Sequence, residues 1–162
     1  MAEVQPPMFQ AECYDADDMR LLINAMAQGS EGVVGNNDMV VTAAASGLAV
    51  DVSSGSVFVL GDTAGQGMYL CVNQGSTRVD LAPAGAQART DLIVATVFDE
   101  AFGGASNTWL LADVTGTPGA GAPAEPPNSE TLATVLVPSG ALTVSAGNVA
   151  DGRTKSNAPV WQ

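Results

Sequence analysis

The residues able to do chemistry in this chain are few and mostly acidic. Two pairs of adjacent carboxylates, Asp17-Asp18 and Asp99-Glu100, are the candidates for general acid–base work. That work needs two carboxyl groups facing one substrate atom, and neighbouring residues of a helix or strand point apart. Asp17 and Asp18 instead follow Asp15 and suit the first turn of a helix, where negative charge meets the helix dipole. Asn36-Asn37-Asp38 offers oxygens to a calcium ion but lacks the alternating spacing of a calcium loop. The chain has no His, which removes the commonest general base and the commonest metal ligand. Lys155 is the single lysine. Cys13 and Cys71 are too far apart in sequence to be a metal pair, and are read either as one disulfide or as small buried apolar residues. The glycines fall in turns and form no phosphate cradle. No catalytic residue, metal or cofactor is expected, and the chain is read as a non-enzyme.

One charged pair stands apart. Arg89 and Asp91 lie two residues apart at the entrance to Asp91–Phe98, where six of eight residues are apolar. A run of that length, rich in β-branched residues, reads as a strand buried on both faces. We take it as the central strand, with Arg89 and Asp91 on one face at its rim.

The elements that must position these residues follow from composition and pattern. The 162 residues suit one domain with a sizeable core. Only 14% are charged, against about 25% in typical soluble domains. A chain with so little charge can hide surface in an assembly. Its net charge of −12 argues against nucleic acid and anionic membranes as partners. No apolar run approaches the length of a membrane span, and the first residues lack the features of a signal peptide.

Residues 1–13, with Pro6 and Pro7, read as an extended N-terminal arm. A helix is expected over about 15–28, from its Asp15 cap, its stripe of Met19, Leu22, Ile23 and Met26, and the Gly29 stop. From Glu31 the pattern changes to short strands and tight turns. Strands are expected at 39–42, 48–52, 57–60, 68–72, 77–81, 91–98, 109–115, 131–137 and 142–145. Residues 116–128 are a Pro/Gly-rich loop. The span 14–153 is then one β-rich domain, and 154–162, with Pro159 and Trp161, a tail held loosely or by a partner. The spacing predicts a mainly β fold, a single-domain β-sandwich or barrel of short antiparallel strands with one N-terminal helix.

The order of segments resembles a known family. Tyr-Asp-Ala-Asp-Asp-Met-Arg (Tyr14–Arg20) is followed by Gly32-Val33-Val34, Gly-Leu-Ala-Val-Asp-Val (47–52) and Ser-Gly-Ser-Val-Phe-Val (54–59). Arg-Thr-Asp-Leu-Ile-Val (89–94), Val114-Thr115-Gly116-Thr117-Pro118, a Pro-rich loop, Leu132 to Pro138 and Asp151-Gly152-Arg153 complete it. Over roughly residues 10–153 this is similar to minor tail or baseplate proteins of long-tailed phages of Gram-positive, especially actinobacterial, hosts. It also resembles the N-terminal attachment domain of upper baseplate proteins. The resemblance implies a virion structural protein of the tail tip, an oligomeric adaptor within the host-attachment apparatus. It also implies contacts with other tail-tip proteins, and no membrane insertion. With little chain after Arg153, an adaptor role is expected over a self-contained host-binding domain.

Three expectations follow. Arg89, Asp91, Asp151 and Arg153 form one charge cluster that fixes how the last strand meets the central one. The helix stripe at helical spacing is read first as core; as a further hypothesis the arm, through Pro6 and Pro7, and the helix, through Met19, Leu22 and Met26, lie at a subunit interface. A homotrimer is favoured and a hexamer is the second choice, since a tail axis demands such symmetry. The alternative reading is a carbohydrate-binding module for the host cell-wall glycan, with Tyr69 and Trp109 as its ligand-facing aromatics. A cell-wall hydrolase is third, for want of a base.

Overall fold

The computed structural model describes residues 15–158. Pro6, Pro7 and Cys13 lie outside them. The helix α1 (Ala16–Met26) starts where its cap requires: the Asp15 side chain accepts a hydrogen bond from the Asp18 N–H at 3.0 Å. It ends earlier than expected, with Ala27 as C-cap and Gln28 and Gly29 at positive φ.

Among the described residues ten antiparallel strands follow, in three sheets. The first sheet has the order β1 (Gly32–Val33), β4 (Gly55–Leu60), β5 (Met68–Asn73). The second has the order β10 (Val149–Asp151), β9 (Ser129–Val137), β7 (Arg89–Phe98), β8 (Thr108–Val114). The third has the order β2 (Val41–Ala43), β3 (Ala49–Val52), β6 (Thr77–Asp80). This is the mainly β, sandwich-type fold with one N-terminal helix that the strand spacing implies. The expected strand at 142–145 does not form; that stretch turns into a 3-10 segment at Ala146–Asn148 and then β10. Its only buried residue is Val144, and one inward side chain gives a strand little to pack.

Strand β7 is central, paired with β8 on one side and β9 on the other. Ile93, Ala95 and Val97 join Val57 and Val59 of β4, Val50 and Val52 of β3 and Val135 of β9 in one core. Its second face is covered too: Val94 and Thr96 share a hollow with Leu110 and with Pro126 and Pro127 of the Pro-rich loop. That double burial explains why β7 is the most continuously apolar strand. Between Ile93 and Val94 its register with β9 shifts, a β-bulge that leaves Leu132 without an opposite residue.

Residues 154–158 are tied to the chain's own β1, against the expectation of a tail held loosely or by a partner; Pro159 and Trp161 lie outside the described residues. Lys155 bridges Val33 in parallel, Val33 N–H donates to Thr154 O at 2.9 Å, and Ser156 N–H donates to Val33 O at 3.0 Å. Gly32 makes this approach feasible: at φ +116° a Cβ there would run into the backbone of Thr154 and Ser156.

Candidate functional site

A concavity of about 780 Å³ runs along the edge of β5 that, among the described residues, no other strand pairs. Helix α1 forms one wall, and Asn107, Thr108 and Trp109 at the start of β8 form the other. A polar network built around Arg20 sets its floor.

Arg20 is the one buried residue of α1. Its Nε donates to Gln66 O at 2.8 Å, its Nη1 pairs with Asp99 Oδ2 at 3.2 Å, and its Nη2 contacts Asp17. The guanidinium lies 5.3 Å from the Tyr69 ring centre and 5.2 Å from that of Phe102. The Tyr69 hydroxyl donates to Asp99 Oδ2 at 2.7 Å and accepts from Gln66 Nε2 at 3.0 Å. Asp99 Oδ1 accepts the Ala101 N–H at 2.9 Å. Gln66 is fully buried and accepts the Thr63 N–H at 3.1 Å. Gly67 admits the helix, because a Cβ there would press on Arg20.

Every polar group of this floor is used by another. Asp99 is held by three donors and is no free base. Burial pushes the Tyr69 hydroxyl above its ordinary pKa, so the phenol stays protonated. Burial pushes the Cys71 thiol up to about 12, which removes the thiolate. The walls are apolar: Met19 and Ile23 on α1, Leu70 and Cys71 on β5, Val97 on β7 and Trp109 on β8. The arrangement suits binding of an apolar surface better than a reaction.

Beside it the helix leaves an apolar face open. Met19 is 46% exposed and Met26 56%, so this stripe is not core. Leu22 is half-buried. Ile23 and Met26 border a second hollow with Phe58 and Leu70. Leu70 and Val72, on the outward side of β5, are 46% and 47% exposed.

The four charged residues expected to cluster form two separate pairs. Arg89 Nε and Nη2 donate to the fully buried Asp91 carboxylate at 2.8 Å and 3.0 Å. Arg89 Nη1 also donates to Pro83 O at 2.9 Å, and Asp91 accepts the Gly116 N–H at 2.8 Å. These bonds pin the loop before β7 and the loop after β8. Asp91 raises the already high pKa of Arg89 further. Arg153 holds Asp151 at 2.7 Å and donates to Asp38 O at 2.7 Å and Asn36 O at 3.2 Å. The Arg153 guanidinium lowers the Asp151 carboxyl to about 2. Strand β9 lies between β10 and β7, which keeps the two pairs apart. The Asn36-Asn37-Asp38 oxygens serve a turn: Asp38 Oδ2 accepts the N–H of Gly35 at 3.1 Å and of Ser56 at 3.0 Å.

A further perturbed carboxyl has no counterpart in the sequence reading. Glu130, beside the bulge, is 5% exposed, and burial raises its pKa to about 7. The Thr154 hydroxyl donates to it, and Glu31 and Glu125 add like charge. Among the described residues no cluster of three or more His, Cys, Asp or Glu could hold a metal, and no helix is long and apolar enough to cross a membrane. Comparison with protein-family models, curated proteins and solved structures finds no match.

Proposed function

We propose that this chain is a virion structural protein, an oligomeric adaptor at the tail tip or baseplate of a long-tailed phage. It works by shape and self-association and is not an enzyme. The observation that carries the assembly reading is the open apolar face shared by α1 and β5, where Met26, Leu70 and Val72 stay about half exposed. Contiguous apolar surface on a chain with so few charges marks a contact with another protein. The tail-tip location draws on the ordered set of segments from Tyr14 to Arg153. A trimer fits a tail axis best, then a hexamer. Light scattering at micromolar concentration should give three or six times the chain mass, and gold-labelled antibody should mark the distal end of the tail. A monomer together with unlabelled particles would overturn the proposal.

Glycan recognition is the second reading, because Tyr69 and Trp109 line one cleft. Against it, the Tyr69 ring already faces Arg20 and its hydroxyl is bound to Asp99. A sugar would find few unpaired polar partners there. Titration with wall oligosaccharides, read by Trp fluorescence, separates the two readings.

A further inference from the structure

Strand β5 ends its sheet with β4 on one side only. In an antiparallel pair, alternate residues direct their N–H and C=O groups to opposite edges. Half of the β5 backbone groups therefore point away from β4. Among the described residues no other group hydrogen-bonds the backbone of Met68–Asn73. Free edges of this kind are usually shortened, charged or covered. Here the strand carries no charged side chain, no strand among the described residues covers its edge, and it opens into a cleft between a helix and a second sheet edge.

The geometry points to strand addition: we infer that the cleft takes an extended segment of a partner protein, laid along β5 as a further strand, with alternating apolar side chains and a Lys or Arg beside them. The inference rests on the adaptor reading and specifies how such an adaptor grips a second protein. Added strands gain affinity from main-chain hydrogen bonds and specificity from pockets for alternate side chains. Both kinds of pocket are present. One set of side chains would meet Met19, Ile23 and Leu70; the other would meet Cys71, Val97 and Trp109.

Charge decides between occupants. The lining carries Asp17, Asp99 and Glu100 against Arg20 alone, and Arg20 is already shared by Asp17 and Asp99. The rim is net negative, which attracts a cationic segment. A second copy of this chain, at −12, is a poor match.

The test uses full-length, isotope-labelled protein and a synthetic ten-residue peptide of alternating Val and Thr with Lys at both ends. NMR shifts and slowed amide exchange should concentrate in Met68–Asn73, with smaller effects at Trp109. A peptide with Glu ends should bind at least tenfold more weakly. A Lys-ended peptide N-methylated at alternate residues should lose binding to the same extent. Equal binding of the N-methylated peptide, or shifts away from β5, would overturn the inference. So would β5 edge amides already protected in the free protein, since that reveals a resident strand from the chain's own first 14 residues or from a second copy. Light scattering reads assembly separately. An oligomer that ignores the peptide refutes the groove alone; a monomer that binds it refutes self-association alone.

Discussion

The Arg89 guanidinium and the Asp91 carboxylate form a two-bond ion pair, at 2.8 Å and 3.0 Å, between residues that share one face of one strand. Their side chains are 5% and 0% exposed. Such a pair is a weak net source of stability, but breaking it strands a charge in the core. Asp91→Ala should cost about 3–5 kcal/mol in urea unfolding. Arg89→Met with Asp91→Leu should cost clearly less than Asp91→Ala alone. A double variant as damaged as the single one would show that the pair contributes more than charge neutralisation.

The two ion pairs share no partner, so their losses should add. Asp91→Ala combined with Asp151→Ala should match the sum of the singles within about 0.5 kcal/mol. A larger discrepancy in thermal melts would mean that the pairs are coupled through β9. The Asp151 contribution should be small, because that side chain is 62% exposed. Its folded pKa, about 2, lies below the ordinary 3.8, so its stabilisation is present above pH 4 and fades as pH falls toward 2.

Glu130 imposes the opposite pH dependence. Its folded pKa of about 7 exceeds the ordinary 4.5, so the folded state holds a proton that the unfolded chain has released. Stability should therefore fall as pH rises from about 4.5 to 7. Glu130→Gln should flatten that slope and unfold at higher urea than the parent at pH 8. Parallel slopes for parent and variant between pH 5 and pH 8 would rule out Glu130 as the origin.

Arg20 anchors α1 to the loop before β5 and to Asp99 just after β7. Arg20→Met keeps the stem and removes the bonds to Gln66 O and Asp99. Amide exchange in Ala16–Met26 should accelerate roughly tenfold while β7 stays protected, since weakly tethered elements open locally. Uniform acceleration across the chain would instead make the helix part of the global unfolding unit.

What could be read from the residues tracks how local the cause is. Strand β7 was legible because both its faces are covered, and the Asp15 cap because capping acts over three residues. The Arg89–Asp91 pair was legible from its spacing. The bonds from Arg153 to Asn36 and Asp38 were not, because 117 and 115 positions separate the partners. Nor was the Arg20 floor: Arg20 interrupts an apolar stripe and Asp99 follows a buried strand, yet only the packing of α1 on β5 brings them together. Glu130 falls between the Pro/Gly-rich loop expected over 116–128 and the strand expected from 131. Strand β9 begins earlier, at Ser129, and its bulge lies beyond any period-two pattern.

The clasp between Ser30 and Asn157 joins positions 127 apart, and it seals the β1 side of the first sheet. Contacts of such separation are slow to form, because a long loop must close before they repay the entropy. On the ribosome the rest of the sandwich can collapse first, while β1 waits with the edge opposite β4 unpaired until synthesis passes Asn157. Premature encounters between nascent chains are therefore most dangerous at that seam, and truncation before Asn157 would leave it permanently unzipped.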